Sequence, residues 1–551
     1  MLSHSRRGWA GVSRARYSWC MIARTLALLL SIASPLAAET AVESHEIGPW
    51  PVVSRLIGYG DRIWFANSVK GANHNSADLH SIPARGGLSR YEGHLFSQDA
   101  GDPVVHRGLL YWPLEDARTE PGIGAFDVTD GERWEHGLIP TEQAFHNHAM
   151  VASGDRLYAA PSAWKGSVAL SEDGGSAWRT VYLHPTPARR VSRITTLVAV
   201  SDGIYGTLNA PEGQWLIRVD DGSGSPVPGW PNGRSHGLTV HKEKVYGIAS
   251  NPDAGGIWRS DGESAKRVWA ASDDWILRAL ASDGERLWMA GDGANGASLW
   301  SSRNGREWSE VVKLEGGSPR DLVAYQGVIA VGGRGVNDRG ILWVLRSSSN
   351  VEPAATTPPP PNALSWPSFT QKAADGFDWA GAAAHLDGLL ADSRSYERYG
   401  QQLKRTIYDL PRREVPPDFY PDRLKTIMPV DPLAMFGDIM LDEMAVIGRW
   451  RLYWGMGLSR TGKVDPADIL RPWDYTPNGP FKFFSTPEIA IWAASRLGLS
   501  DDLVLEALVQ RLEDEATPLW LKGDAVGALH TLTGQRLGYD ATAWRGWLER
   551  D

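Results

Sequence analysis

The chain has 551 residues and a formal net charge of −9, too long for one ordinary domain and too acidic for a general nucleic-acid binder. Its single cysteine, Cys20, stands near the start, so the rest of the chain has no disulfides, thiolate metal sites or cysteine nucleophile. With 26 Trp and 59 Gly, the composition suits short aromatic-rich strands joined by tight turns.

Residues 1–38 read as a signal peptide. Arg24 precedes an apolar run, Leu26 to Ala33, and Pro35-Leu36-Ala37-Ala38 supplies the small residues of a cleavage site. The run is too short to span a bilayer, so no integral membrane segment is expected after cleavage. Met21 is an alternative start. These 38 residues hold five arginines and no acid, so the mature chain is more acidic still. A periplasmic or secreted location follows.

Between residues 50 and 348 one phrase returns seven times: a polar turn, then an apolar residue followed by an aromatic. It ends at Trp64, Tyr111, Tyr158, Tyr205, Tyr246 and Trp288, and a last copy at Ile329 lacks the aromatic. The spacings are 47, 47, 47, 41, 42 and 41 residues. A period of that size built from strand-like phrases marks a β-propeller. A second phrase follows in most repeats, an apolar run closing on Asp-Gly or Asn-Gly, as at Asp173-Gly174, Asp221-Gly222, Asp261-Gly262 and Asn304-Gly305. Such pairs favour hairpin turns with positive φ. Each repeat thus predicts a four-stranded meander whose faces are buried only by neighbouring blades.

The expected fold is an all-β, seven-bladed β-propeller over 39–348, followed by a smaller all-α domain over 365–551. Six or eight blades stay open, because the last repeat, Asp321 to Arg346, has material for only three strands. An extended segment, Ser44 to Val53, is expected to supply its missing outer strand and close the ring. Residues 349–364 contain Pro358 to Pro361 and predict a semi-rigid polyproline linker. Beyond Trp366 the apolar period becomes helical, predicting helices over Trp379–Ala391, Ser395–Leu410, Pro432–Gly455, Pro487–Leu497, Asp501–Glu515, Pro518–Thr533 and Ala541–Glu549. Stretches 411–430 and 472–485 read as irregular. Trp450 to Met456 is an aromatic, amphipathic stripe that reads as helix core.

Ser171-Glu-Asp173-Gly-Gly175-Ser-Ala-Trp178 resembles the Asp-box (BNR) repeat of sialidase-like propellers, with a degraded copy at Ser301 to Trp308 in which Arg303 replaces the Asp. The resemblance implies a structural turn at the blade periphery. Leu532 to Leu548, with Thr533-Gly534-Gln535 and Gly538-Tyr539-Asp540, resembles the closing segment of HEAT-like helical domains. That implies a scaffold with a surface for a protein partner.

Counting back eight to twelve residues from each hallmark finds polar residues where the innermost strands begin. They are Arg55, Asp102, His146 with His148, Arg193, His236, Arg278, and Arg320 with Asp321. Basic groups outnumber acids, so the expected partner of a central funnel is an anionic small molecule or a carbohydrate-like ligand, a glycan. His146 and His148 share one strand face, but spacing fixes no third ligand, so no metal is assigned, and no cofactor either. His74 reads as a solvated loop residue.

A sialidase-like propeller implies three arginines around a substrate carboxylate. Arg55, Arg278 and Arg320 could be placed so. The family's Arg-Ile-Pro phrase, however, appears only as His80-Ser81-Ile82-Pro83, and no nucleophilic Tyr can be paired with a Glu. Asp99 with Asp102 is no better supported as a catalytic pair. The residues favour a binding or scaffold protein. The alternative is a glycoside hydrolase or lyase acting on an acidic glycan.

Overall fold

The computed structural model describes residues 42–346 apart from 70–76, 116, 118–123, 142–143, 163, 188–189, 251–254 and 273. Beyond these it describes 366, 376–391, 410, 416, 419, 464–472 and 486–550. The segment read as a signal peptide with Cys20, His74, the expected linker 349–364, the expected helix Pro432–Gly455, the Trp450–Met456 stripe and all but Leu410 of Ser395–Leu410 lie outside the described residues. So do nearly all of the stretches 411–430 and 472–485.

Seven four-stranded antiparallel sheets form a β-propeller. In blades 1 to 6 the strands follow chain order. Blade 7 takes its first three strands from Gly317–Tyr325, Val328–Gly335 and Gly340–Arg346, and its outer strand from Val42–Ile47 at the other end of the chain. That outer strand pairs from Val42 opposite Leu345 to Ile47 opposite Gly340. The expected closure is present, but the extended Ser44–Val53 is two strands. Gly48–Pro51 breaks it, where two prolines lack the donors a ladder needs, and Val52–Tyr59 becomes the inner strand of blade 1.

The hallmark phrase lies on the second strand of every blade. Those strands are sandwiched between neighbouring blades and are largely buried; Leu109–Leu114 is buried throughout. Outer strands such as Ser309–Lys313 are mostly exposed. The core therefore lies between blades. Trp64 and Leu79 of blade 1 pack with Leu110 and Trp112 of blade 2, while Val53 and Phe65 pack with Leu342 and Val344 of blade 7.

The peripheral turns use side-chain caps. Ser171 Oγ accepts the Gly175 amide at 2.7 Å, and Asp173 Oδ1 accepts the Ser176 and Ala177 amides at 3.0 Å each. Trp178 Nε1 donates to the Gly175 carbonyl at 2.9 Å. Gly174 and Gly175 have φ of 80° and 108°, a conformation that favours glycine. Blade 6 builds the same turn from Ser302 and Asn304, whose Oδ1 accepts the Arg306 and Glu307 amides at 2.8 and 3.1 Å. Asn304, not Arg303, fills the acidic position, because this turn is one residue shorter.

Six described helices follow the propeller: α1 (Trp379–Ala391), α2 (Pro466–Leu470), α3 (Thr486–Leu497), α4 (Asp502–Glu513), α5 (Leu519–Thr533) and α6 (Ala541–Leu548). Asp501 and Asp540 cap α4 and α6, their side chains accepting the Val504 and Ala543 amides. The five-residue α2 was not foreseen, being too short to show a helical period. Trp492 and Trp544 are central to a core that also takes in Phe96 of the propeller.

The helices dock on the outer strand of blade 1, Arg90–Leu95. His94 is fully buried between Asp78 at 2.7 Å and Asp524 of α5 at 3.2 Å. Tyr539 and the Trp50 indole both donate to the other oxygen of Asp78, at 2.7 and 2.8 Å. Arg536 bonds buried Glu92 at 2.8 Å. Gly527 lets α5 lie this close, because a Cβ there would meet the His94 Cβ at 2.9 Å.

Candidate functional site

Six of the seven inner strands carry an irregularity in their pairing with the second strand, and each falls at the same height. The register shifts between Ser54 and Ile57, Asn147 and Met150, Ile194 and Leu197, His236 and Thr239, Leu277 and Ala279, and Pro319 and Asp321. A bulge inserts an unpaired residue and re-aims its side chain. The inserted residues include Arg55, His148, Arg278 and Arg320. This recurrence was invisible to a count back from the hallmark, which found the residues but not the device that presents them.

One cavity of about 800 Å³ collects inner-strand residues from blades 1, 2, 4, 5, 6 and 7. Of the nine residues named from sequence, Arg55, Asp102, His236, Arg278, Arg320 and Asp321 line it; His146, His148 and Arg193 do not. Arg234 and Arg334 also line it and were missed. Arg234 opens the inner strand of blade 5 and Arg334 lies near the end of the second strand of blade 7, each beside glycine in the sequence. No described residue of the helical region lines the cavity.

The lining charges divide into committed and uncommitted groups. Arg55 has φ 58° and forms a clasp at the axis: its Nε donates to the Ala100 carbonyl at 2.9 Å and its guanidinium pairs with Asp102. Burial works against that charge, but Asp102, then Asp99 and Asp321, hold it firmly protonated. The Asp102 backbone bonds blade 3 on both sides, through the His148 carbonyl at 2.9 Å and the Met150 amide at 3.0 Å. Asp321 accepts the Leu322 amide at 2.8 Å and, across the blade 7 to blade 1 seam, the Leu56 amide at 3.0 Å. His236 Nε2 donates to the Leu277 carbonyl of blade 6 at 3.1 Å.

Arg278 pairs with Asp292 at 2.9 Å, and Ser318 donates to the same carboxylate oxygen at 3.0 Å. Arg334 pairs with the exposed Asp338. Arg320 is half-buried and makes no hydrogen bond or ion pair with any described residue. Burial, then Arg278 and, more weakly, Arg334, push its guanidinium down from its usual range, with Asp292 opposing. The cavity lining thus holds five arginines and two aspartates, and both aspartates are already engaged.

His146 and His148 stack with ring centroids 5.4 Å apart. His146 Nδ1 donates to the Glu115 carbonyl at 2.6 Å. Burial, then Arg193 and Arg55, push His148 down to about 3, so it is neutral at physiological pH. No group of three or more His, Cys, Asp or Glu among the described residues could hold a metal. No described helix is long and apolar enough to cross a membrane.

No family model matches this chain, and no curated protein does. Among solved structures, the β-propeller domain of the Trilobed protease from Pyrococcus furiosus aligns at 9% identity and a TM-score of 0.39, covering 54% of this chain and 96% of that one. A prolyl endopeptidase structure aligns at 14% identity and 0.35, covering 58% of this chain and half, 50%, of the other. The computationally designed Ika8 protein aligns at 10% and 0.36, covering 54% and 99%. These likenesses are of the propeller alone and carry no argument about activity.

Proposed function

We propose that this is a periplasmic or secreted binding protein whose axial cavity holds an anionic ligand. In this reading the propeller is of the Asp-box type, and its HEAT-like helical region offers a surface to a protein partner. The observation that carries the reading is Arg320. A guanidinium partly withdrawn from water, without a hydrogen-bonded or ion-paired carboxylate among the described residues and beside other arginines, gains from an anion that enters. The cavity's volume suits a small molecule.

The alternative, hydrolysis or elimination on an acidic glycan, needs a pair of titratable groups free to move protons. Asp102 is bound to Arg55 and Asp321 to two backbone amides. Neither is spare, which favours binding over catalysis.

A thermal-shift series with simple carboxylates, sugar acids and phosphate tests the reading. Anions should raise the melting temperature of the wild type and leave Arg320→Met unmoved. Equal shifts in both proteins would overturn it.

A further inference from the structure

Resting on that anion-binding reading, we propose that the ligand is a short aliphatic carboxylate rather than a sugar acid or a phosphate. Three features of the same cavity carry this.

The first is the balance of donors and acceptors. A sugar ring presents hydroxyls that both donate and accept, so its site needs free acceptors as well as donors. Here the acidic acceptors are spent: Asp102 on Arg55, and Asp321 on the amides of Leu56 and Leu322. A charged group that remains open among the described residues is the Arg320 guanidinium, which only donates. A carboxylate only accepts, and its two oxygens match the planar fork of one arginine.

The second is the fate of the bulge amides. Unpaired backbone N–H groups are the donors with which strand and loop sites cradle phosphate. The bulge amide of Leu56 and the strand amide of Leu322 are both taken by Asp321, the neighbour of Arg320, at 3.0 and 2.8 Å. The seat left at Arg320 is one for a smaller anion.

The third is an apolar wall without aromatic rings. Among the described residues no Trp, Tyr or Phe lines the cavity, in a chain with 26 Trp, so they offer no indole, phenol or phenyl platform on which a sugar ring could stack. Instead Ile276, two residues before Arg278, is 51% exposed at the cavity. Half an isoleucine left open beside a cationic seat matches an acid with a hydrocarbon tail.

Isothermal titration with acetate, butyrate, hexanoate, glucuronate and inorganic phosphate tests the proposal on the full chain. Affinity should rise with tail length, by up to about fourfold for each methylene buried. Hexanoate should outbind glucuronate and phosphate. Ile276→Ser should erase the advantage of hexanoate over acetate while leaving acetate itself unchanged. Circular-dichroism melts of the variant confirm that it is folded. Flat dependence on tail length, an unchanged hexanoate advantage in folded Ile276→Ser, or tighter binding of glucuronate or phosphate, overturns the aliphatic assignment and leaves the anion reading standing. Absence of binding by every anion overturns both.

Discussion

The His94 imidazole lies 3.2 Å from the Asp524 carboxylate, joining the outer strand of blade 1 to helix α5 across 430 residues of sequence. Both side chains, and that of Asp78 on the other side of the ring, are fully buried. The two carboxylates flanking the ring favour the charged imidazole, whose two N–H groups can serve one acid each. Removing one member strands the others, at a cost of about 3–5 kcal/mol. His94→Leu should therefore release the helices more readily than it unfolds the propeller. Hydrogen exchange would show this as lost protection in α5 with strand protection retained.

The same contact makes stability depend on pH. Burial alone would push His94 down, but its hydrogen bonds to Asp524 and Asp78 raise it to about 9. A group raised on folding gives its full contribution below its unfolded value of about 6.5, and loses it as pH climbs through 9. Asp78, Asp524, Tyr539 and Trp50 surround the ring or its partner, with Arg536 and Glu92 nearby. On the acid side, burial holds His80 and His530 at about 4 and His148 at about 3. These lowered groups contribute above about 6.5 and lose that contribution as pH falls through 4 and 3. Chemical denaturation across pH should show greatest stability near pH 6.5, and Asp524→Asn should move the alkaline arm to lower pH.

Gly527 separates packing from charge at the dock. A side chain there meets the His94 Cβ at 2.9 Å and the Phe96 ring at 3.1 Å. Gly527→Val should shift α5 off blade 1 although every ionisable group is kept. Limited proteolysis should then cut the helical region away while the propeller stays intact.

Arg55 and Asp102 should behave as a clasp. Arg55→Ala leaves Asp102 without its cation and the Ala100 carbonyl without its donor. A loss of roughly 2–3 kcal/mol of stability is expected. Arg320, which bonds to nothing described, should be replaceable by Met with almost no change in melting temperature. Comparable losses at both positions would show that Arg320 is structural.

The Val42–Ile47 strand should govern cooperativity. Its deletion exposes the Gly340–Arg346 edge, and an open edge invites another chain. The shortened protein should unfold at lower temperature and associate, as read by light scattering.

The ring was legible because its signal repeats. Trp64, Tyr111, Tyr158, Tyr205, Tyr246 and Trp288 occupy one place in six blades, and a fixed period survives noise in any single copy. Closure was legible from a deficit, three strands where four were needed. The site was legible only in part. Position along the inner strand found Arg278 and Arg320, but a bulge depends on pairing with the next strand, which no single phrase encodes. Arg234 and Arg334 were hidden because the glycines beside them suggest turns, although both residues stand on strands that line the cavity. The same positional rule named Arg55, whose partner Asp102 comes from the next blade. The dock was invisible for the same reason: Asp78, His94 and Asp524 meet only after both parts have folded.

The most direct measurement is anomalous diffraction from crystals soaked in bromide, comparing the wild type with Arg320→Met. A bromide peak in the axial cavity against the Arg320 guanidinium, absent from the variant, is the expected result. Peaks confined to surface arginines, with nothing at Arg320, would contradict the account.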